Sequence, residues 1–496
     1  MNCPVWAGLR TRPISPAPRD FRMRTRYLIT GLVIASILTG CTVGPKYRRP
    51  ASSVPAVFRG ADAATATDPA SLGDLKWFEV FKDEQLQALI RKALAQNFDL
   101  QDAVARVLEA RANLGITRSN QFPQIGGSAS MTSSQISEEG SFLLSNTPIG
   151  NFRRTRNFGS LLLNLASFEV DIWGRLRRAT EAARANLLAS DETRKAVITT
   201  IVSEVAADYF DLIELDMELE ISNRTLASRQ SSLALIKTMQ EGGVATLLDV
   251  RQAEELVYSA AVAIPFARLQ IEQTENQINF LLGQSPGPVR RGRSLIDQPQ
   301  PPPVPPGLPS SLLQRRPDIR AAEDNLIAFN ANIGVAKAEF FPLISLTGFL
   351  GTESSQLSNL FTGTTRAWNF VPEVSQPIFT GGRLKSNLRL AEAQRQDALV
   401  NYQKSIQSAF GDVSNALVQR SQTAEIRRQR ELLVEAVRDR VSLAYMRFYG
   451  GVDTFLNAQN ADQSLFADEI LLAEDRRNEL LALVQLYKAL GGGWQQ

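Results

Sequence analysis

One thiol in this chain is placed for chemistry. Cys41 closes the stretch Leu38-Thr39-Gly40-Cys41, which ends the apolar run Tyr27–Leu38 behind Arg22, Arg24 and Arg26. Basic residues, a short apolar core and small residues before a cysteine read as a bacterial lipoprotein signal. Cleavage before Cys41 and acylation of its thiol would leave a covalent lipid anchor. The alternative is an ordinary secretory signal with an incidental cysteine. The run holds about half of the ~20 residues that a spanning helix needs. Translation from Met23 fits the signal best, which makes residues 1–22 an upstream extension and leaves Cys3 without a role. Thr42 after the cysteine points to the outer membrane.

Other reactive side chains are scarce. Histidine is absent and only Cys3 and Cys41 are thiols. Histidine-based catalysis, histidine-ligated metals, disulfide frameworks and zinc clusters are therefore excluded. No phosphate loop or clustered carboxylate pair is present, so neither catalytic nor metal-binding residues are expected. No cofactor is expected beyond the lipid on Cys41. Lys plus Arg number 54 against 51 Asp plus Glu, a net of +3, which argues against a nucleic-acid partner.

The positioning elements are read from a repeat. Gly242–Asp249 (GGVATLLD) returns as Gly450–Asn457 (GGVDTFLN), 208 residues later. At the same offset Trp173–Leu176 (WGRL) meets Gly381–Leu384 (GGRL). Upstream the offset is 219, pairing Asp99 with Asp318 and Phe122-Pro123 with Phe341-Pro342. The first copy thus carries 11 extra residues before its Gly-Arg-Leu, in text rich in Ser, Gly, Asn and Thr. Each copy reads as a helix, two strands, a long helix, a Gly-Gly turn and a return helix.

Five segments follow. Residues 1–40 are extension and signal, and 41–283 are the first repeat, with a β-hairpin at 125–172 and a helical hairpin at 174–282 tipped at 242–246. Residues 284–310 are a Pro-rich linker, read as stiff and outside the core. Residues 311–490 are the second repeat, with a β-hairpin at 343–380 and a helical hairpin at 383–490 tipped at 450–454. Residues 491–496 are a tail.

The long helices carry the clearest pattern. No proline occurs from Leu384 to Phe448. Tyr402, Ile406, Ala409, Val413 and Ala416, then Leu433, Val437, Val441, Ala444 and Phe448, fall at spacings of three and four. The same holds from Arg175 to Met239, with Val197, Ile201, Val205 and Leu212. About 60 residues make a rod on the order of 90 Å, longer than a compact core, so the narrow stripe reads as a coiled-coil seam. Thr246–Leu282 and Thr454–Leu490 return antiparallel, and Pro265 should interrupt and kink the first of them.

The strand signals are weaker. Ile125, Ala129 and Met131 alternate with Ser128, Ser130 and Thr132. Trp368, Phe370, Pro372 and Val374 alternate with Asn369, Glu373 and Ser375. Leu343–Gly351 follows Pro342, and Ser160–Val170 switches parity near Ala166, as at a bulge. Four strands form either a small soluble sheet or a membrane sheet. In lipid an open edge is not tolerated, so several chains would share one barrel. Two chains would give a filled interior of eight strands, and three would give twelve with room for a pore.

Leu308–Gly351 (LPSSLLQRRPDIRAAEDNLIAFNANIGVAKAEFFPLISLTGFLG) resembles the signature of the outer membrane efflux factors, the TolC-like family. LTGCTVGPKYRRP, Trp77–Ala112, VDIWGRLRRA and both Gly-Gly-Val turns are similar to its OprM/NodT-type lipoprotein branch. The resemblance runs from Cys41 to Leu490. It implies a mainly α fold with membrane β: a homotrimer whose 12-stranded β-barrel is continuous with a 12-helix α-barrel. It also implies an equatorial belt from the flanking segments and linker. The implied partners are a periplasmic adaptor (membrane fusion) protein, an inner-membrane transporter of the resistance-nodulation-division (RND) type, and outer-membrane lipid. The implied function is passive, gated efflux of drugs or other small molecules. A type I protein secretion duct is the rival reading, and a non-pore periplasmic coiled-coil scaffold is the rival of another class.

Gly243 and Gly451 are suited to a positive-φ helix reversal beside Gly242 and Gly450, with Thr246 and Thr454 at N-cap positions and Asp249 at capping-box spacing from Thr246. The family resemblance makes these tips the periplasmic mouth and adaptor-docking end. By position, Leu456 matches a pore-narrowing leucine, and Asn460 stands where the family commonly has aspartate. The alternative for Leu456 is seam packing. Trp368, Phe370 and Phe379 are candidates for an interfacial aromatic girdle or for ordinary sheet packing. Arg315-Arg316-Pro317-Asp318 reads as a helix start, with Pro317 at its first position and Asp318 complementing the dipole.

Overall fold

The computed structural model describes residues 42–51, 54–60, 71–135, 155–299, 305 and 307–495. The signal segment and Cys41 lie outside the described residues. The first copy supplies α1 (Trp77–Val80), α2 (Glu84–Gln96), α3 (Phe98–Ser119), β1 (Ile125–Gln135), β2 (Thr155–Glu169), α4 (Arg175–Glu241) and α5 (Leu247–Leu281). The second supplies α6 (Pro309–Arg315), α7 (Pro317–Ala338), β3 (Leu343–Ser354), β4 (Arg366–Ser375), α8 (Arg383–Tyr449) and α9 (Phe455–Ala489). The paired long helices match in length, 67 residues each for α4 and α8 and 35 each for α5 and α9, so the duplication extends to their ends.

Among the described residues, one compact unit draws on residues 42–46, 116–135, 155–181 and 331–391. Its centre is an antiparallel sheet in the order β1-β2-β3-β4, so β1 and β4 are its edges. Register makes the sheet two-sided. Leu163 pairs with Gly127 and Leu350, and Leu350 with Trp368, which gathers the apolar set on one face. Asn164 pairs with Gly126 and Phe349, and Ser345 with Glu373, which puts most polar side chains on the other. On that face Asn164 donates to Ser128 (2.7 Å), and the Ser130 and Ser160 hydroxyls lie 2.8 Å apart. The register shifts between Leu165 and Phe168, where the parity switch predicts a bulge. Pro372 sits in β4, an edge strand, where proline is tolerated. Gly351 is required by close approach, because a Cβ there would lie 2.1 Å from the Leu161 carbonyl oxygen.

Below the strand ends the first-copy junction is tied by charge. Arg175 pairs bidentately with Glu169, Arg177 bonds Asp171, and Arg178 donates to Glu181 (2.8 Å) and to the Val43 carbonyl (3.2 Å). Trp173 stacks on Phe341 at 4.7 Å and donates to the Pro342 carbonyl. Val43 N–H donates to Trp173 O (3.0 Å), so the first residues after Cys41 are held at this junction.

The second unit takes the described residues of 47–115, 182–330 and 392–495. Tyr402, Ile406, Ala409, Val413 and Ala416 are buried as the seam predicts. Further on Val437 is buried as predicted and Val434 is buried beside it, while Leu433 is exposed. Five turns of 3.6 residues are 18 residues, which carries the seam from Ala416 to Val434. On α4 the narrow-seam expectation fails: Ile201, Val202, Ser203, Val205, Ala206, Tyr209 and Phe210 are all buried. Here α4 is a core helix, packed with Trp77, Phe81, Val289 and Leu295.

Val289 and Leu295 also correct the linker reading. The prolines concentrate after residue 298, and the preceding stretch is core. Asp83 fastens it. This buried N-cap of α2 accepts from Gln85 N–H (2.8 Å), Tyr209 Oη (2.9 Å), Arg293 N–H (2.9 Å) and Gln298 Nε2 (3.0 Å). Burial pushes its pKa up, but those donors outweigh it and hold the carboxyl below its usual range. The expected interruption at Pro265 is the other correction: α5 is continuous through it. Neighbouring turns keep their bonds when one N–H is lost. Pro317 opens α7, and Arg316 pairs with Asp318, so that carboxylate has a cation partner besides the helix dipole.

Candidate functional site

Both Gly-Gly turns are Schellman closures. Gly243 (φ 74°) donates to Gln240 O and Val244 N–H to Met239 O. Gly451 (φ 70°) donates to Phe448 O and Val452 N–H to Arg447 O. The 5→2 and 6→1 bonds cap the last carbonyls, and glycine supplies the left-handed residue without strain. The returns differ. Thr246 and Asp249 form a reciprocal capping box, with bonds of 2.7 and 3.2 Å. Thr454 is an N-cap without a side-chain bond. Asp453 replaces it, accepting from Thr454 N–H (2.8 Å), Asn457 Nδ2 (2.6 Å) and Arg447 Nε (3.1 Å). Those donors hold the Asp453 carboxyl below its usual range, the Asn457 bond first.

Behind the turns a small core joins both hairpins: Ile236 of α4, Val250, Ala253 and Leu256 of α5, and Phe455 and Ala458 of α9. Phe455 is buried and turns α9 so that Leu456 is 49 % exposed and Asn460, one turn on, is also exposed. Residues at i and i+4 share a face. Sequence reasoning brought these two together, and both project away from the hairpin core.

It missed the buried cation above them. The Arg229 side chain is 1 % exposed and its Nε lies 2.6 Å from Asp462 of α9. Its Nη1 donates to the Leu256 carbonyl (2.8 Å) and Ser259 Oγ (2.9 Å) of α5. Its guanidinium lies 5.0 Å from the Phe466 ring. One side chain thereby joins three helices. Further ion pairs tie α4 to α9 (Arg224–Glu469) and α9 to α8 (Arg430–Asp475, Arg427–Glu479). Exposed apolar residues remain on α5 (Tyr258, Val262, Phe266, Leu269) and on α8 (Ile426, Leu433, Leu443).

A carboxylate row runs along α4. Burial pushes Glu214 up to about 7 despite Arg477, with Glu218, Glu474 and Asp211 adding to the rise. Burial also takes Asp208 to about 6, helped by Asp211 and Glu204. A carboxyl with a raised folded pKa stabilises the fold below its unfolded value, and that contribution is lost as pH rises through the folded one. For Glu214 the window runs from 4.5 to about 7. Glu214→Gln should therefore be more stable than wild type at pH 8, by on the order of 1–2 kcal/mol, and equal to it at pH 4. Urea midpoints of the detergent-solubilised protein at both pH values measure this; an unchanged pH dependence in the variant refutes it.

Trp368 (75 % exposed) and Phe370 stand on the apolar face of β4, whereas Phe379 (90 % exposed) follows its other end. The three candidate aromatics thus lie at two levels. No helix among the described residues is long and apolar enough to cross a membrane, and no group of three or more His, Cys, Asp or Glu there could hold a metal.

The family model described as outer membrane efflux protein matches residues 89–284 and 308–492. The chain is 36 % identical over 464 residues to the cation efflux system protein CusC of Escherichia coli O6:H1, covering 93 % of this chain and 98 % of that one. It is 36 % identical over 479 residues to the toluene efflux pump outer membrane protein TtgF of Pseudomonas putida, covering 95 % and 98 %. The crystal structure of the open state of the Neisseria gonorrhoeae MtrE outer membrane channel superposes with a TM-score of 0.81 at 32 % identity, over 92 % of this chain and 99 % of that one.

Proposed function

We propose that three copies of this chain, which belongs to the outer membrane efflux protein family and is an outer-membrane channel of an efflux system, close into one duct. The sheet carries this reading. It has four strands, an apolar face and two free edges at β1 and β4. In lipid both edges need partners, and β4 of one copy beside β1 of the next supplies them. Three sheets give twelve strands around the polar face that bears Ser128, Asn164, Asn369 and Glu373. The exposed apolar residues of α5 then meet those of α8 on the next copy, closing a 12-helix barrel.

Acyl chains on Cys41 would add a membrane anchor, since two or more chains hold a protein stably where one does not. The turns at Gly242–Thr246 and Gly450–Thr454 form the periplasmic mouth, where a periplasmic adaptor docks and links the duct to an inner-membrane transporter of the RND type. Three Leu456 side chains narrow that mouth, and three Asn460 side chains add no charge to it. The cargo is small molecules; the similar proteins are named for cation and toluene efflux. Detergent-extracted protein should run as a trimer that heat converts to monomer, and it should conduct ions in planar bilayers. A non-conducting monomer would support a scaffold lipoprotein instead.

A further inference from the structure

The two copies differ in charge where strand meets long helix. In the first, residues 169–181 hold three carboxylates (Glu169, Asp171, Glu181) and three cations (Arg175, Arg177, Arg178), all paired. At the 208 offset the second copy keeps cations at Arg383 and Lys385 and has Arg389 opposite Glu181. Pro377 and Phe379 replace Glu169 and Asp171, so residues 377–389 hold three cations and no carboxylate.

Among the described residues, Arg383, Lys385 and Arg389 make no ion pair. Glu339, which reaches the second turn of α8, accepts instead from Asn387 (3.4 Å). The first turn of α8 contains no acidic residue. A helix N-terminus favours anions, so three exposed cations without an ion pair in its first two turns suit an external anion, although Arg383 also shares a cavity with Glu169, Asp171 and Glu339. Ile378 and Phe379, just past the end of β4, are each 90 % exposed. Thr42, next to Cys41, packs on Gly174 at the corresponding point of the first copy, where a Cβ would lie 2.8 Å from it.

We infer that this second-copy junction is a binding surface for anionic phospholipid in the periplasmic leaflet of the outer membrane. Ile378 and Phe379 continue the lipid-facing surface into the acyl boundary. Arg383, Lys385 and Arg389 meet the headgroup phosphates at the level where the chain leaves the bilayer. The inference rests on the outer-membrane channel reading and adds the lipid class that the channel prefers.

The test uses full-length, delipidated channel in neutral detergent, titrated with phosphatidylglycerol or phosphatidylcholine and read by native mass spectrometry. Wild type should bind phosphatidylglycerol more tightly, and free glycerol phosphate should not compete. R383Q/K385Q/R389Q should lose at least about tenfold in phosphatidylglycerol affinity, with phosphatidylcholine unchanged. R389E, which restores the first-copy charge at one position, should lose affinity on its own and covers the case in which the triple variant misfolds. Equal phosphatidylglycerol binding by wild type and R389E, or competition by glycerol phosphate, overturns the lipid surface. Bilayer conductance by the same variants separates that failure from failure of the channel reading.

Discussion

Leu456→Ala is expected to raise the resting conductance of the channel in planar bilayers, by roughly twofold or more. Leu456 is half exposed on the first turn of α9, while its neighbour Phe455 is buried in the tip core. Truncating it should leave the hairpin intact and remove apolar bulk only from the exposed face. In the proposed trimer three leucines on one axis would exclude water, and a dewetted constriction blocks ions at a diameter that hydrated ions could otherwise pass. Asn460→Asp, on the same face, separates size from charge. It should raise cation preference and leave the width unchanged. Leu456→Ala conductance at or below wild type would show that this leucine only packs a helix seam.

The largest stability effect is expected at Arg229. Arg229→Leu leaves Asp462 buried without its cation and withdraws the donors to Leu256 O and Ser259 Oγ. Removing one partner of a buried pair costs about 3–5 kcal/mol, because the remaining charge is neither hydrated nor paired. Burial already pushes Asp462 up, Arg229 being the main opposing influence. The stranded carboxyl should therefore take up a proton. Arg229→Leu should then unfold at lower urea, with the deficit shrinking towards acid pH. Pairing it with Asp462→Leu should recover much of the loss, since no buried charge then remains. A single-variant cost under about 1 kcal/mol would mean that water reaches the pair.

The residues themselves determined a good deal. The Gly-Gly turns repeat because left-handed backbone favours glycine, so a Schellman closure is visible in the text. The strand alternation is equally direct, since a period of two is imposed by the pleat, and even the Leu165–Phe168 bulge shows as a change of parity. Long proline-free segments with a three-four stripe gave helix lengths within a few residues. What local pattern could not convey is which neighbour each face would meet.

Val289 and Leu295 look like linker residues until Asp83, more than 200 positions upstream, holds their segment against the core. Arg229 reads as one more surface charge, because the carboxylate comes from one distant stretch and the carbonyl and hydroxyl from another. Pro265 reads as a break, yet α5 continues through it. Sequence by itself determined the periodic elements and turns, because these follow from backbone sterics and spacing within one segment. Tertiary structure alone decided the polar network, which strands stand at the sheet edges and which charges are paired at the two junctions. A charge or an edge acquires its meaning only from the partner that distant chain brings to it, or fails to bring.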